Sequence, residues 1–89
     1  MTWSVEFLPQ AERDVEKLDR QVAQRIFRFL FDRVANLENP RSIGEALRGS
    51  RLGEYWKYRV GDYRLICKIE DYRLLVLVVR IGHRKEIYR

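Results

Sequence analysis

The chain has 89 residues, of which 46% are hydrophobic and 35% charged. This length fits one domain, residues 1–89, near the lower limit for burying a core without disulfides or a metal. One cysteine and one histidine exclude an internal disulfide and fall short of a metal-ligand set, so no metal and no cofactor are expected. Without a long apolar run or a signal-peptide pattern, the chain is predicted to be cytoplasmic, with no membrane partner.

The net charge of +5 is divided unevenly along the chain. Residues 1–47 contain 7 Lys/Arg against 8 Asp/Glu, whereas residues 48–89 contain 11 against 5, a net charge of +6. A basic field attracts polyanions, and nucleic acid is the commonest of these, ahead of an acidic protein or a membrane surface. The second half is therefore predicted to carry an anion-binding surface.

The first predicted elements are a strand over residues 3–8 and two helices. Helical spacing covers residues 10–18, and Asp19 suits the N-cap of a second helix that runs to about residue 37. Phe27 and Phe31 lie off the apolar stripe of this helix, so they either widen the core face or mark a surface where a partner lies. The stripe itself consists of Val22, Ile26, Phe29, Leu30, Val34 and Leu37.

Three further strands are predicted over residues 55–60, 63–70 and 74–81, after a connector in which Leu47 is expected to plug into the core. The last strand is apolar on both faces, which indicates a central strand. The order β-α-α-β-β-β predicts an α+β fold, in which an N-terminal helical hairpin packs on a mainly antiparallel four-stranded sheet. Cys67 falls within a strand and is interpreted as a small core residue.

Gly61-Asp62 separates two strand-like runs and predicts a two-residue hairpin turn. This register places Arg59 directly opposite Arg64, and like charges in that position destabilise a sheet. An anion bound between the two arginines would account for the arrangement. Alternatively, each guanidinium points into solvent or pairs with a carboxylate such as Glu54 or Glu70. The cations expected on this face are Lys57, Arg59, Arg64 and Lys68.

The C-terminal segment adds to this basic sheet further side chains that can bind a substrate or take part in catalysis. Cations next to aromatic side chains can stack on bases, hold a phosphate and stabilise a pentacovalent phosphorane. RNA supplies its own 2′-hydroxyl nucleophile, so a metal-free ribonuclease needs only such groups. Composition supports plain RNA binding equally well. The candidate cluster consists of Lys57, Arg59, Arg64, His83, Arg84, Lys85 and Tyr88, with Tyr55, Trp56, Tyr58 and Tyr63 nearby.

The residues of three segments resemble the RelE branch of the RelE/ParE toxin superfamily of type II toxin-antitoxin modules. The likeness covers the whole chain, and its most specific part is the ending Gly-His-Arg-x-x-x-Tyr. It implies a microbial-RNase-like fold that enters the A site of the 70S ribosome and cleaves mRNA, leaving a 2′,3′-cyclic phosphate and a 5′-hydroxyl. The segments are Leu47-Arg48-Gly49, Tyr63-Arg64-Leu65 and the run from Arg80 to Arg89.

The resemblance also implies catalytic roles for five residues. Lys57 and Arg59 match the family's basic pair, one member of which is assigned as general base. Arg64 matches the arginine that holds the phosphate and stabilises the transition state. Arg84 matches a second such arginine, which is also considered for protonating the leaving group. Tyr88 matches the tyrosine that stacks on the substrate base. Contacts to RNA are predicted for three more residues, His83, Lys85 and Arg48.

The chain departs from the family pattern at Arg59, where better-studied members have a lysine. Arginine is a poor base because its pKa stays above about 12. Proton acceptance therefore moves to Lys57, or to His83, whose ordinary pKa suits the task.

Two other functions and one protein partner are also implied. A ParE-like protein would share the fold but inhibit DNA gyrase, and a non-catalytic module would only bind RNA or an antitoxin. Under either toxin hypothesis, a RelB-like antitoxin is expected to cover the basic surface with an acidic and apolar segment. A heterotetramer of toxin and antitoxin is one assembly that this implies.

Overall fold

The computed structural model describes residues 2–48 and 55–87. One sheet has the strand order β1-β5-β4-β3-β2, in which β1 is parallel to β5 and the other pairs are antiparallel. The predicted α+β class and mainly antiparallel sheet are confirmed. The elements are β1 (Ser4–Phe7), α1 (Pro9–Glu16), α2 (Arg20–Arg28), β2 (Glu45–Ala46), β3 (Tyr55–Val60), β4 (Tyr63–Glu70) and β5 (Leu75–His83).

The strand count of four was too low by one. Glu45 and Ala46 pair with Lys57 and Trp56 and form the edge strand β2. The Leu47 N–H continues this ladder by donating to the Tyr55 carbonyl oxygen at 3.1 Å. Leu47 is half-buried and lies outside the core cluster of the described residues, so it is not the core plug that was predicted.

The two helices begin and end close to their predicted positions. Pro9 is the first residue of α1, and the Asp19 carboxylate accepts a hydrogen bond from the Gln21 N–H at 3.2 Å as the N-cap of α2. After Arg28 the helical run continues as a π-helical turn and then a 3₁₀ turn that ends at Asn36. No helix in the described ranges is long and apolar enough to cross a membrane.

The helices cover one face of the sheet and form the core with it. Tyr58 is fully buried, and its hydroxyl donates to the Pro40 carbonyl oxygen at 2.6 Å. Cys67 is also fully buried, as predicted, and burial raises the pKa of its thiol. Phe27 and Phe31 instead form an aromatic cluster with Phe7 and remain 37% and 47% exposed. They are therefore surface residues and do not widen the core.

β5 is the central strand that its apolar sequence predicted, and a buried carboxylate completes its edge. β1 pairs with β5 only as far as Val78. Beyond that point the Ile81 N–H donates to Asp14 Oδ2 at 2.9 Å, and Arg80 Nε donates to the same oxygen at 2.9 Å. Burial opposes ionisation of Asp14, but these two hydrogen bonds outweigh it and hold the pKa below its usual range.

Candidate functional site

The β3–β4 hairpin forms with the predicted register and determines the geometry of the site. Val60 pairs with Tyr63 and Arg59 with Arg64 across the Gly61-Asp62 turn. Gly61 has φ +58°, a left-handed conformation that glycine adopts without steric cost. A turn of this length fixes which side chains share a face, so local sequence alone places the two arginines opposite each other.

The face of the sheet opposite the helices carries the predicted cations, which we call the basic face: Lys57, Arg59, Arg64 and Lys68. Their neighbours Tyr58 and Leu65 alternate into the core. Three of the four line one open cavity of about 340 Å³ together with Gly44 and Glu45. Within the described ranges, no carboxylate lies within 4.0 Å of the Arg59 or Arg64 guanidinium. The alternative in which Glu70 neutralises them is not observed, because Glu70 pairs with Arg73; Glu54 is outside the described residues.

Glu45 is a member of this cavity that the sequence analysis missed. Its Oε1 lies 3.0 Å from Lys57 Nζ, and this hydrogen bond is the main reason why the pKa of Glu45 lies below its usual range. The pair favours the charged form of Lys57. Because β2 has only two residues, it shows no periodicity, and only the pairing with β3 reveals that Glu45 faces Lys57.

Gly44 holds the loop before β2 against β3. It has φ +80°, and a Cβ there would lie 2.5 Å from the Lys57 carbonyl oxygen and 2.7 Å from Trp56 Nε1. Trp56 Nε1 donates to the Ile43 carbonyl oxygen at 2.8 Å. This close backbone approach brings Glu45 and Lys57 into one cavity.

Arg64 and Arg84 both contact the hairpin turn Gly61-Asp62. Arg64 Nη1 donates to the carbonyl oxygens of Gly61 and Tyr63, both at 3.1 Å. The Arg84 N–H donates to the Asp62 carbonyl oxygen at 2.8 Å, and Arg84 Nε lies 3.8 Å from Asp62 Oδ1. These contacts place both arginines beside the same turn.

His83 lies in a different cavity from the basic face. Its ring packs edge-on against Tyr63, with centroids 5.6 Å apart, and its Nδ1 accepts from the Lys85 N–H at 3.2 Å. Both rings line a cavity of about 320 Å³ beside the end of α1, whereas Lys57 and Arg64 line the cavity at β2. The structure therefore does not bring His83 together with Lys57.

The remaining predicted residues lie around this centre or outside the described ranges. Arg48 is exposed and lines a cavity of about 260 Å³ that also contains Glu45 and Lys57. Lys85 is exposed in the C-terminal turn. Tyr88 lies outside the described residues, and so does the last part of the segment that resembles the RelE branch.

The geometry identifies a candidate anion site made of Lys57, Arg59 and Arg64, with Arg84 at its margin. A guanidinium presents several N–H donors in a fixed plane, which suits a phosphate oxygen pair. Arg64 uses only Nη1 in its hydrogen bonds to the turn within the described part of the chain. The site can therefore bind a phosphodiester and stabilise extra negative charge on it.

Comparison with known proteins identifies the family of this chain. Residues 5–88 match the family model described as the ParE toxin of the type II toxin-antitoxin system parDE. The chain belongs to the RelE/ParE toxin superfamily of type II toxin-antitoxin systems and to its RelE branch.

The RelE branch follows from the individual relatives. The chain is 33% identical over 89 residues to toxin RelG of Mycobacterium tuberculosis, covering 100% of this chain and 99% of the relative. It is 33% identical to toxin RelE of the same organism, covering 89% of this chain and 78% of the relative. The toxin-antitoxin complex RelBE2 of M. tuberculosis contains a chain with TM-score 0.83 and 29% identity, covering 97% and 95% of the two chains.

Proposed function

We propose that this toxin is a metal-free mRNA endoribonuclease that cuts mRNA in the ribosomal A site and so inhibits translation. The observation that carries the proposal is the cavity where Arg59 lies opposite Arg64, with Lys57 adjacent. Like charges directly opposite each other destabilise a sheet, and an anion bound between them would offset that cost. A phosphodiester supplies that anion, and the 2′-hydroxyl of RNA supplies the nucleophile.

In the proposed reaction, the 2′-oxygen attacks the adjacent phosphorus while the bond from phosphorus to the 5′-oxygen breaks. Arg59 and Arg64 bind the non-bridging oxygens and stabilise the charge that develops on them. Arg84, next to the turn, stabilises the departing 5′-oxygen, which takes up a proton from water. The products are a 2′,3′-cyclic phosphate and a 5′-hydroxyl, and Tyr88 stacks on the substrate base as the resemblance implies.

The proton of the 2′-hydroxyl goes to Lys57 in this scheme. Lys57 lines the cavity of the two arginines, while His83 lines another cavity. Lys57 is ion-paired with Glu45 at 3.0 Å, which favours its charged form, so Lys57 must lose a proton before it acts as a base. The neighbouring positive charges of Arg59 and Arg64 oppose this effect of Glu45 and favour loss of the proton from Lys57.

Primer extension on a reporter mRNA in a cell-free translation system tests the proposal. The wild-type toxin is expected to give cuts that need ribosomes, and Arg64→Ala and Arg84→Ala are expected to abolish them. Lys68→Ala is the matched control, because Lys68 lies on the same face but does not line the cavity. Intact mRNA with the wild-type protein would refute the proposal, and so would full cleavage by Arg64→Ala.

We also propose a RelB-like antitoxin as the protein partner, with an acidic segment that neutralises the basic face. Chains with this fold occur in the toxin-antitoxin complex RelBE2 of M. tuberculosis and, at TM-score 0.72 and 24% identity, in the intact E. coli RelBE complex. The toxin is expected to co-purify with the product of an adjacent small gene. Native mass spectrometry then separates a 1:1 complex from a heterotetramer.

DNA gyrase inhibition is the second candidate function, because the matching family model is named for the ParE toxin. It does not require the cations of the basic face. A supercoiling assay with purified gyrase distinguishes the two functions. Inhibition by the wild type and by Arg64→Ala alike, with mRNA intact, would favour gyrase as the target.

A further inference from the structure

Three arginines from the helical run that starts with α2 and one arginine from β3 surround one cavity next to the hairpin tip. The cavity has a volume of about 390 Å³ and lies between the outer face of α2 and the end of β3. We call these residues the arginine patch: Arg25, Arg28, Arg33 and Arg59. The first three belong to the half of the sequence whose net charge is −1, so the charge distribution along the chain does not reveal the patch.

The arginine patch concentrates positive charge without neutralising it. All four side chains are exposed, and in the described part of the chain none has a carboxylate within 4.0 Å. Asp32 lines the same cavity but does not reach an ion-pair distance to them. Arg25 and Arg28 are three positions apart, so they are neighbours on the helix surface and repel each other. An anionic ligand in the cavity would offset this repulsion.

Arg59 connects the arginine patch to the candidate anion site. It lines the cavity of α2 and also the cavity of Lys57 and Arg64. The connection exists because β2 pairs with β3 only at Trp56 and Lys57. On the side of β3 away from β4, residues Tyr58 to Val60 have no neighbouring strand among the described residues. Arg59 therefore lies at an open edge and contributes to both cavities. The two sets of arginines thus form one continuous basic track.

We propose that the arginine patch binds phosphates of the RNA strand that occupies the candidate site, on one side of the reacting phosphate. The identity of the polyanion rests on the proposed function. Consecutive phosphates follow each other at regular spacing, and guanidinium groups bind them with paired hydrogen bonds. The track runs from β4 across β3 to α2, so guanidinium groups of separate elements are available to successive phosphates. The patch holds RNA in place and does not touch the reacting atoms.

Fluorescence anisotropy with 2′-O-methylated RNA tests this proposal without cleavage, because such RNA lacks a free 2′-hydroxyl. The variant carries Arg25→Gln, Arg28→Gln and Arg33→Gln together. Loss of three contacts to a single strand should make the salt dependence shallower: the negative slope of log K, the association constant, against log[salt] should decrease in magnitude by about 2. If both proteins bind equally at about 1 M salt, the variant binds about 100-fold more weakly at about 0.1 M salt. A four-nucleotide RNA that fills only the candidate site should lose little affinity.

The matched control changes Arg13, Lys17 and Arg20 to glutamine, which removes the same charge at positions that line neither cavity. An equal loss of affinity in the control would overturn the proposal, because it would show a general charge effect. Unchanged urea unfolding of both variants establishes that the fold is intact.

The two proposals fail in different ways. If the wild type cleaves mRNA and the arginine-patch variant retains affinity and KM, the patch has no role in RNA binding, and this inference is wrong. If no mRNA is cleaved but the patch variant alone loses RNA affinity, the patch binds RNA and the proposed function is wrong. A raised KM with unchanged kcat in the patch variant is the result we expect.

Discussion

Asp14→Ala removes the carboxylate that completes the edge of β5, and we expect it to destabilise the fold strongly. The substitution leaves the buried Ile81 N–H without its acceptor at 2.9 Å, which costs about 1–3 kcal/mol. Loss of the contact to Arg80 adds at most about 1 kcal/mol, because the Arg80 side chain is 51% exposed and water screens the pair. The expected loss is about 3 kcal/mol, which lowers Tm by about 12 °C or more in a domain of this size.

Urea unfolding at pH 7, followed by the fluorescence of Trp3 and Trp56, measures this loss. Asp14→Asn keeps an oxygen acceptor for Ile81 and should lose only about 1 kcal/mol. Arg80→Gln should lose less than about 1 kcal/mol, because Asp14 keeps its bond to the backbone. An Asp14→Ala variant that unfolds within about 0.5 kcal/mol of wild type would refute the assigned role.

The same residue predicts a dependence of stability on pH. The pKa of Asp14 in the folded protein lies below its ordinary value of 3.8. In this pH range the folded state therefore binds fewer protons at Asp14 than the unfolded state does. Its contribution is therefore fully present above that ordinary value and is lost as the pH falls through the lower, folded pKa. The stability difference between wild type and Asp14→Asn should shrink below about pH 4. A difference that grows with acid would contradict this.

Three other substitutions or treatments test the site and the core. Gly44→Ala should cost about 2 kcal/mol or more in urea unfolding, because φ +80° and the Lys57 carbonyl oxygen leave no room for a Cβ; wild-type stability would refute the assigned close approach. Glu45→Gln should tighten binding of 2′-O-methylated RNA, measured by anisotropy, because phosphate no longer competes with Glu45 for Lys57; weaker binding would contradict this. Cys67 should react with a thiol reagent only after unfolding, because it is fully buried. Rapid labelling of the native protein would contradict this burial.

Local sequence predicted the parts of the fold that depend on neighbours in the chain. Gly61-Asp62 fixed the hairpin register, since a two-residue turn leaves one pairing, and the opposition of Arg59 and Arg64 followed from it. Asp19 marked the start of α2 because its side chain caps the helix within two residues. These features need no distant contact, so pattern and turn chemistry were sufficient.

Tertiary structure decided the features that join distant parts of the chain. Glu45 reaches Lys57 only because β2 adds to the sheet, and a two-residue strand has no period to recognise. Asp14 and Ile81 are 67 positions apart, so the helix pattern of α1 shows only a polar residue. His83 and Lys57 were both candidate bases by residue type, but they line different cavities.

The sequence by itself determined the order of the helices and the longer strands, the hairpin and the chemical character of a basic face. Only the folded chain determined which charges belong to one surface, because packing joins residues regardless of their separation along the chain. The arginines of α2 are the clearest example. They belong to the half of the sequence with net charge −1, yet they line a cavity with Arg59. Charge counted along a sequence does not measure charge density in space.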